Sequence, residues 1–231
     1  MTDKPVRVKV TTPVGTLVWP NFDPTKPDKF NKFGTKLKLD ADAYNELMSQ
    51  VQDDFDAAVA EGEEKFKALS PAARKKLKEL TINEIGTPEY DKETEEETGF
   101  YLVSFMKKCG GESKKTGKTW QARPIPVYDA AGKPLSPSQT EKVWSGSTAK
   151  VAFSYFQDGY FVPGTGACGL SLEIEAVQVI DLAGPGQRSA SSYGFGVEDG
   201  FSVEDLGGAQ ASAANDNSEA SDDDTPGAAD F

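Results

Sequence analysis

Short stretches of alternating apolar and polar residues, placed on either side of one long helical stripe, constrain the fold of this chain more than any other feature. Residues 6–19 alternate through Val6, Val8 and Val10, then Val14, Leu17 and Trp19. Pro13 and Gly15 interrupt them, which reads as strand, bend, strand. Thr35 to Leu39 is a short strand. Phe100 to Lys107 sets Tyr101, Val103 and Phe105 on one face and Phe100, Leu102 and Met106 on the other. Thr148 to Phe156 alternates likewise, as does Gly169 to Leu182 through Leu170, Leu172, Ile174 and Ala176. Thr119 to Tyr128 reads as a further strand, which Pro124 and Pro126 confine to an edge or bulged position.

The helical stripe lies between the second and third of these. Asp40 reads as an N-cap, followed at helical spacing by Tyr44, Leu47, Val51, Phe55, Ala58, Val59, Gly62, Phe66 and Leu69, with acids opposite. Ser70-Pro71 ends that helix and starts a second, basic one over Ala72 to Leu80. Glu84 to Thr98 is an acidic connector. Pro20 to Gly34 is a proline-marked loop, and Lys108 to Lys118 a glycine- and lysine-rich hairpin tip. Five or so strands around one helical excursion (residues 40–80) give a mainly β fold. They suit a small closed barrel, of which the OB-fold, a five-stranded Greek key, is the commonest nucleic-acid-binding version. The barrel domain is expected over residues 1–182.

Residues 183–231 are of another kind. After Arg188 there is no basic residue, ten carboxylates follow, and Gly, Ala and Ser dominate. Such a segment cannot bury enough apolar surface to offset its ordering entropy, so a disordered acidic tail is expected. Its end carries Asp222, Asp223, Asp224, Asp230 and a terminal Phe231. A lone aromatic on an acidic tether suits a basic, apolar-floored pocket in a partner. The formal net charge of −12 conceals this segregation. Residues 1–39 hold eight Lys/Arg against three acids and residues 99–182 nine against seven, a basic surplus of seven. Residues 40–98 hold seven against 17. A basic body behind acidic appendages suits a polyanionic ligand.

Catalysis has little support. With no His the usual general base and commonest metal ligand are missing. Glu93, Glu95, Glu96 and Glu97 offer a metal-dependent nuclease as one alternative, although such a run reads first as a solvated strip; an acidic interaction protein or DNA mimic is another. Gly110-Gly111-Glu112-Ser113-Lys114-Lys115 lies between strands, not between strand and helix, so it is not a phosphate loop. Cys109 and Cys168 have no CxxC spacing and read as free thiols. No cofactor or metal is indicated. No apolar run spans a membrane and Met1-Thr2-Asp3-Lys4-Pro5 has no signal pattern, so a cytoplasmic protein is expected.

Single-strand binding needs cations along the phosphates and aromatic faces for the bases. Three places supply both. One holds Trp19, Phe22, Phe30 and Phe33 with Lys26, Lys29, Lys32 and Lys36. A second joins Lys107, Lys108, Lys114, Lys115 and Lys118 to Trp120 and Arg123, and a third sets Tyr155, Phe156, Tyr160 and Phe161 near Lys150. Phe30, Phe33, Tyr160 and Phe161 stand out because glycines or lysines flank them. Phe105, Phe153 and Trp144 read as core. No set suggests base-edge reading, so specificity for single strands, not sequence, is expected.

In order and spacing, residues 10–182 resemble the replicative single-stranded DNA-binding proteins of tailed bacteriophages, the podophage gene 2.5 type. The similarity rests on Val14-Gly15-Thr16, Lys32-Phe33-Gly34, Asp54-Phe55-Asp56-Ala57-Ala58-Val59, the Lys-rich hairpin, Val127-Tyr128-Asp129 before Gly132-Lys133, Gly164-Thr165-Gly166-Ala167, and the tail ending Asp230-Phe231. The resemblance implies an OB-fold with a long helix packed outside it and ssDNA in a basic, aromatic cleft, in the cytoplasm of a host cell. It also implies a role in replication, recombination and repair, with a tail that contacts phage DNA polymerase and helicase/primase and competes with DNA for the cleft. Tyr160-Phe161 falls where the family carries its stacking aromatics. Phe33 replaces the family's arginine before the early-loop glycine, which makes it a stacking candidate. The tail here is shorter and less acidic than the family's, which implies weaker competition.

Overall fold

The computed structural model describes residues 6–113 and 116–184. The tail residues Asp222, Asp223, Asp224, Asp230 and Phe231, and the hairpin-tip Lys114 and Lys115, lie outside the described residues.

Strands β1 (Arg7–Thr11) and β2 (Gly15–Asn21) are two arms of one bent strand. β1 pairs with the C-terminal half of β10 (Thr148–Phe156), and the start of β2 with its first two residues. Pro13 has no N–H to give a ladder, so the bend falls there. Thr12 bridges it, its N–H donating to the Val151 carbonyl at 3.0 Å and its hydroxyl accepting the Val151 N–H at 2.9 Å. β2 continues antiparallel to β3 (Lys32–Asp40), and β3 pairs along its whole length with β6 (Glu97–Lys108). β10 pairs with β13 (Glu173–Asp181). The barrel closes between β13 and β6, where the Met106 N–H donates to the Leu172 carbonyl at 3.1 Å and Lys107 Nζ lies 3.3 Å from Glu175 Oε2. These five strands make the OB barrel that the alternation predicts, with Leu17, Leu37, Val103, Phe105, Val151, Phe153 and Ile174 filling it. Its aromatic centre is the tilted Phe105–Phe153 pair, 4.9 Å between centroids.

The helix α1 (Ala41–Lys67) leaves β3 directly, Asp40 capping it by accepting the Ala43 N–H at 2.8 Å. Its stripe of Leu47, Val51, Phe55, Ala58 and Gly62 is buried. Gly62 permits a close approach, since a Cβ there would lie 2.6 Å from the Cys168 Cβ. Asp54 fastens the helix to the end of β10, accepting from the Tyr155 hydroxyl at 2.8 Å and from Gln157 Nε2 at 2.6 Å. Tyr44 stacks on Tyr101 with 4.1 Å between centroids. The short α2 (Pro71–Leu77) follows, capped by Ser70.

Several boundaries differ from the sequence reading. The acidic connector contains β5 (Gly86–Tyr90), which pairs with β6, and just before it β4 (Thr81–Asn83) joins a small sheet with β11 (Tyr160–Val162) and β12 (Ala167–Gly169). The stretch Thr119–Tyr128 is not one strand. β8 (Thr119–Gln121) pairs only with β7 (Gly110–Glu112), and β9 (Val127–Tyr128) runs parallel to β13, because Pro124 and Pro126 cannot donate to a ladder between them. The stretch from Gly169 divides into β12 and β13. Between β9 and β10 the chain makes one turn of helix, α3 (Pro137–Thr140).

Candidate nucleic-acid interface

The barrel's outer face over β2, β3 and β6 carries a lysine row because of strand parity. Phe33, Thr35, Leu37 and Leu39 of β3 are buried, so Lys32, Lys36 and Lys38 point outward. Register extends the face sideways. Lys38 lies opposite Thr16 and Leu102, Lys36 opposite Val18 and Ser104, Lys32 opposite Lys108, and Asp40 opposite Phe100. Gly34 sits in this row beside Met106 at φ +149°, where a Cβ would lie 2.1 Å from the Phe105 carbonyl oxygen, so only glycine keeps the two strands paired there.

Exposed aromatics flank the row. Trp19 is 73% exposed at a break in the β2–β3 ladder, and Lys36 Nζ lies 5.7 Å from its ring centroid. Its φ of +49° is unfavourable for a bulky residue. The conformation is held by its N–H, which donates to the Ser145 hydroxyl at 2.8 Å. Phe100 lies 4.3 Å below Lys38 Nζ, and Glu89 on β5 pairs with the same ammonium at 2.6 Å. In the loop between β2 and β3, Asp28 accepts the N–H groups of Phe30 and Lys32, both at 2.8 Å, which fixes Phe30 in solvent with Lys29 5.0 Å from its ring. Each cation over a ring is a favourable contact; the Lys38 charge is shared with Glu89 as well.

The structure gathers Trp19, Phe30, Lys29, Lys32 and Lys36 into this region and disperses other sequence candidates. Phe33 is corrected: it is 0% exposed and points into the barrel, where it can stack on no base. Phe22 is buried too. Lys107 has the inward parity of Phe33 and pairs with Glu175 at the closure, so it is not a free phosphate ligand. The third cluster does not exist as a unit. Tyr155 is buried. Lys150 and Phe156 point outward from β10, which β2 separates from β3 and β13 separates from β6, and Arg7 covers the Phe156 ring at 5.3 Å. Tyr160 and Phe161 are half-buried on β11, the Tyr160 hydroxyl accepting from Asn83 Nδ2. Trp120 and Lys118 are exposed on the β7–β8 hairpin and Arg123 just after it. Phe105 and Phe153 are core, as expected, but Trp144 is 51% exposed, contrary to its assignment there.

Lys38, Phe100 and Glu89 were missed. The parity of β3 and β6 could have found the first two, since Phe100 and Lys38 both fall on the polar side of their strands; Glu89 required the β5–β6 pairing. Among the described residues, no group of three or more His, Cys, Asp or Glu is placed to hold a metal ion. Asp91 turns the acidic run back by accepting the Thr94 and Glu93 N–H groups, which keeps its own carboxyl below the ordinary value. Burial would raise the Glu175 carboxyl, but the Ser154 hydroxyl and the Lys107 and Arg7 cations outweigh it and hold it low. Both cysteines are buried and free, their thiols pushed up by burial first and by nearby carboxylates. No described helix is long and apolar enough to cross a membrane.

No protein-family model matches the sequence, and no curated protein matches it. Solved structures do. The single-stranded DNA-binding protein of bacteriophage Enc34 is 13% identical, with a TM-score of 0.47 over 82% of this chain and 90% of its own. Its complex with ssDNA gives 11% and 0.48 over 78% and 89%. The crystal structure of gp2.5, a single-stranded DNA-binding protein encoded by bacteriophage T7, matches with 20% identity and a TM-score of 0.57, covering all of that chain. Over 86% of its length, this chain shares the fold of the T7 protein.

Proposed function

We propose that this protein is a non-enzymatic binder of single-stranded DNA that coats and protects single strands, without sequence preference, during phage replication, recombination and repair. The observation that carries the reading is the outward lysine row Lys32, Lys36 and Lys38 with Trp19, Phe30 and Phe100 around it. This is the outer face of the second and third barrel strands, where OB-folds bind oligonucleotides with help from the loops between strands one and two and between strands four and five. Here those loops carry Phe30, and Tyr160 with Phe161. Cations paired with aromatic faces suit phosphates and stacked bases, and every base has such a face. The likeness to gp2.5 supports the same reading through the fold.

The remaining roles complete the proposal. The acidic tail, with Asp222, Asp223, Asp224, Asp230 and Phe231, recruits the phage polymerase and helicase/primase. It also competes with DNA, its carboxylates imitating phosphates and Phe231 a base. Anisotropy titration of labelled oligo(dT) tests the core of this. Replacing Trp19 and Phe100 together by Ala weakens binding by about 1–3 kcal/mol for each base that loses its stack. The melting temperature stays near the wild-type value, since both side chains face solvent. Wild-type affinity in a folded double variant would refute the assignment of the face.

A further inference from the structure

Trp144 has no place in the core and no role in the interface described above. It opens a turn that is clamped to the edge of β2 at Leu17 and at Trp19 itself. The Leu17 N–H donates to the Ser147 carbonyl at 2.8 Å, the Gly146 N–H to the Leu17 carbonyl at 2.9 Å, and the Trp19 N–H to the Ser145 hydroxyl at 2.8 Å. The turn closes on itself through the Ser147 N–H and the Trp144 carbonyl at 3.2 Å, with Gly146 at φ +97°. Val143, just before it in the chain, is buried, and Lys142 is exposed. Two largely exposed indoles are therefore held by one set of contacts to the β2 backbone; Lys36 Nζ lies 5.7 Å from the Trp19 ring, and the exposed Lys142 stands two residues before Trp144 in the chain.

From this geometry we propose that Trp144 is a second base-stacking site, extending the DNA track from Trp19 across the edge of β2 onto the loop before β10. The proposal rests on the single-strand-binding reading of the β2–β3–β6 face. Leaving an indole in water forgoes the gain of burying its apolar surface. Two indoles left so on one rigid clamp are preorganised for a ligand, and little side-chain ordering remains to oppose binding. A ligand that meets indole and ammonium in alternation is a single strand, base and phosphate by turns.

The test is a titration of the full chain with oligo(dT) of graded length, comparing wild type, Trp144→Ala, Trp144→Phe and Trp19→Ala. Trp144→Ala is expected to weaken binding of long oligonucleotides by about 5- to 100-fold. Trp144→Phe retains most of the affinity. The deficit shrinks on oligonucleotides too short to reach from Trp19 to Trp144, whereas the Trp19→Ala deficit persists. In a Trp19→Phe, Trp120→Phe chain, oligo(dT) quenches the one remaining indole. If Trp144→Ala binds every length as wild type does while Trp19→Ala is weakened, Trp144 is no base site, and the interface reading stands without it. If the wild-type chain itself fails to bind, the interface reading falls and this inference with it.

Discussion

Glu89 is the residue at which the charge balance of the face is set. Its carboxylate holds Lys38 over Phe100, and it accepts the Thr98 hydroxyl at 2.9 Å from the neighbouring strand. The pair sits at the surface, so it adds little to stability. It does occupy a cation that a phosphate would otherwise take. Glu89→Gln keeps the shape and frees the charge. The variant should bind oligo(dT) more tightly, with its slope of log K against log salt steeper by about 0.7, the value of one further single-strand phosphate contact. An unchanged slope would mean that Lys38 never meets the backbone. Phe33 carries a different lesson. Its lysine and glycine neighbours suggested a loop, but both belong to a nine-residue strand, where parity alone sends Phe33 inward.

At the scale of elements, α1 is an external brace whose attachment is both apolar and polar. Leu47 lies fully buried against the barrel, and Leu47→Ala should cost about 2–5 kcal/mol in denaturant unfolding. Asp54 ties the helix to Tyr155, whose ionisation is pushed well up by burial first and by the Asp54 hydrogen bond and charge. In the unfolded chain Tyr155 ionises near its ordinary value of 10.0; in the fold it stays neutral. Stability from this site is therefore full below pH 10 and falls as pH rises beyond it, since only the unfolded state then gains by releasing the proton. Comparing alkaline unfolding of wild type and Tyr155→Phe checks the sign, because the variant should lose less stability above that pH. Equal losses would place the alkaline sensitivity elsewhere.

The barrel strands and α1 were legible in the sequence because each answers to a local period, two for strands and 3.6 for the helix. What stayed illegible depends on contacts distant in sequence. The short β4, β9 and β12 exist only as partners of other strands, and Trp144 read as core because nothing local says that its turn is clamped outside β2. The site was half legible for the same reason. Lys29, Phe30, Lys36 and Trp19 emerged from composition and Phe33 is removed by the parity of β3, whereas grouping Lys38 with Phe100 and removing Lys107 required the β3–β6 register and the Glu175 pair.

For the molecule as a whole, charge segregation should govern behaviour. The ten carboxylates after Arg188 follow a body whose barrel segments, residues 1–39 and 99–182, carry a basic surplus, so a chain ending at Arg188 should bind ssDNA more tightly than the full chain, most clearly at low salt. Weaker binding by the shortened chain would contradict tail competition. The central claim is that single-stranded DNA binds this body through its phosphates and stacked bases. Its most direct test is the salt dependence of oligo(dT) affinity in the full chain. Four to six phosphate contacts predict a slope of log K against log salt between about −3 and −4. A slope near zero, or no binding at low salt, would contradict it.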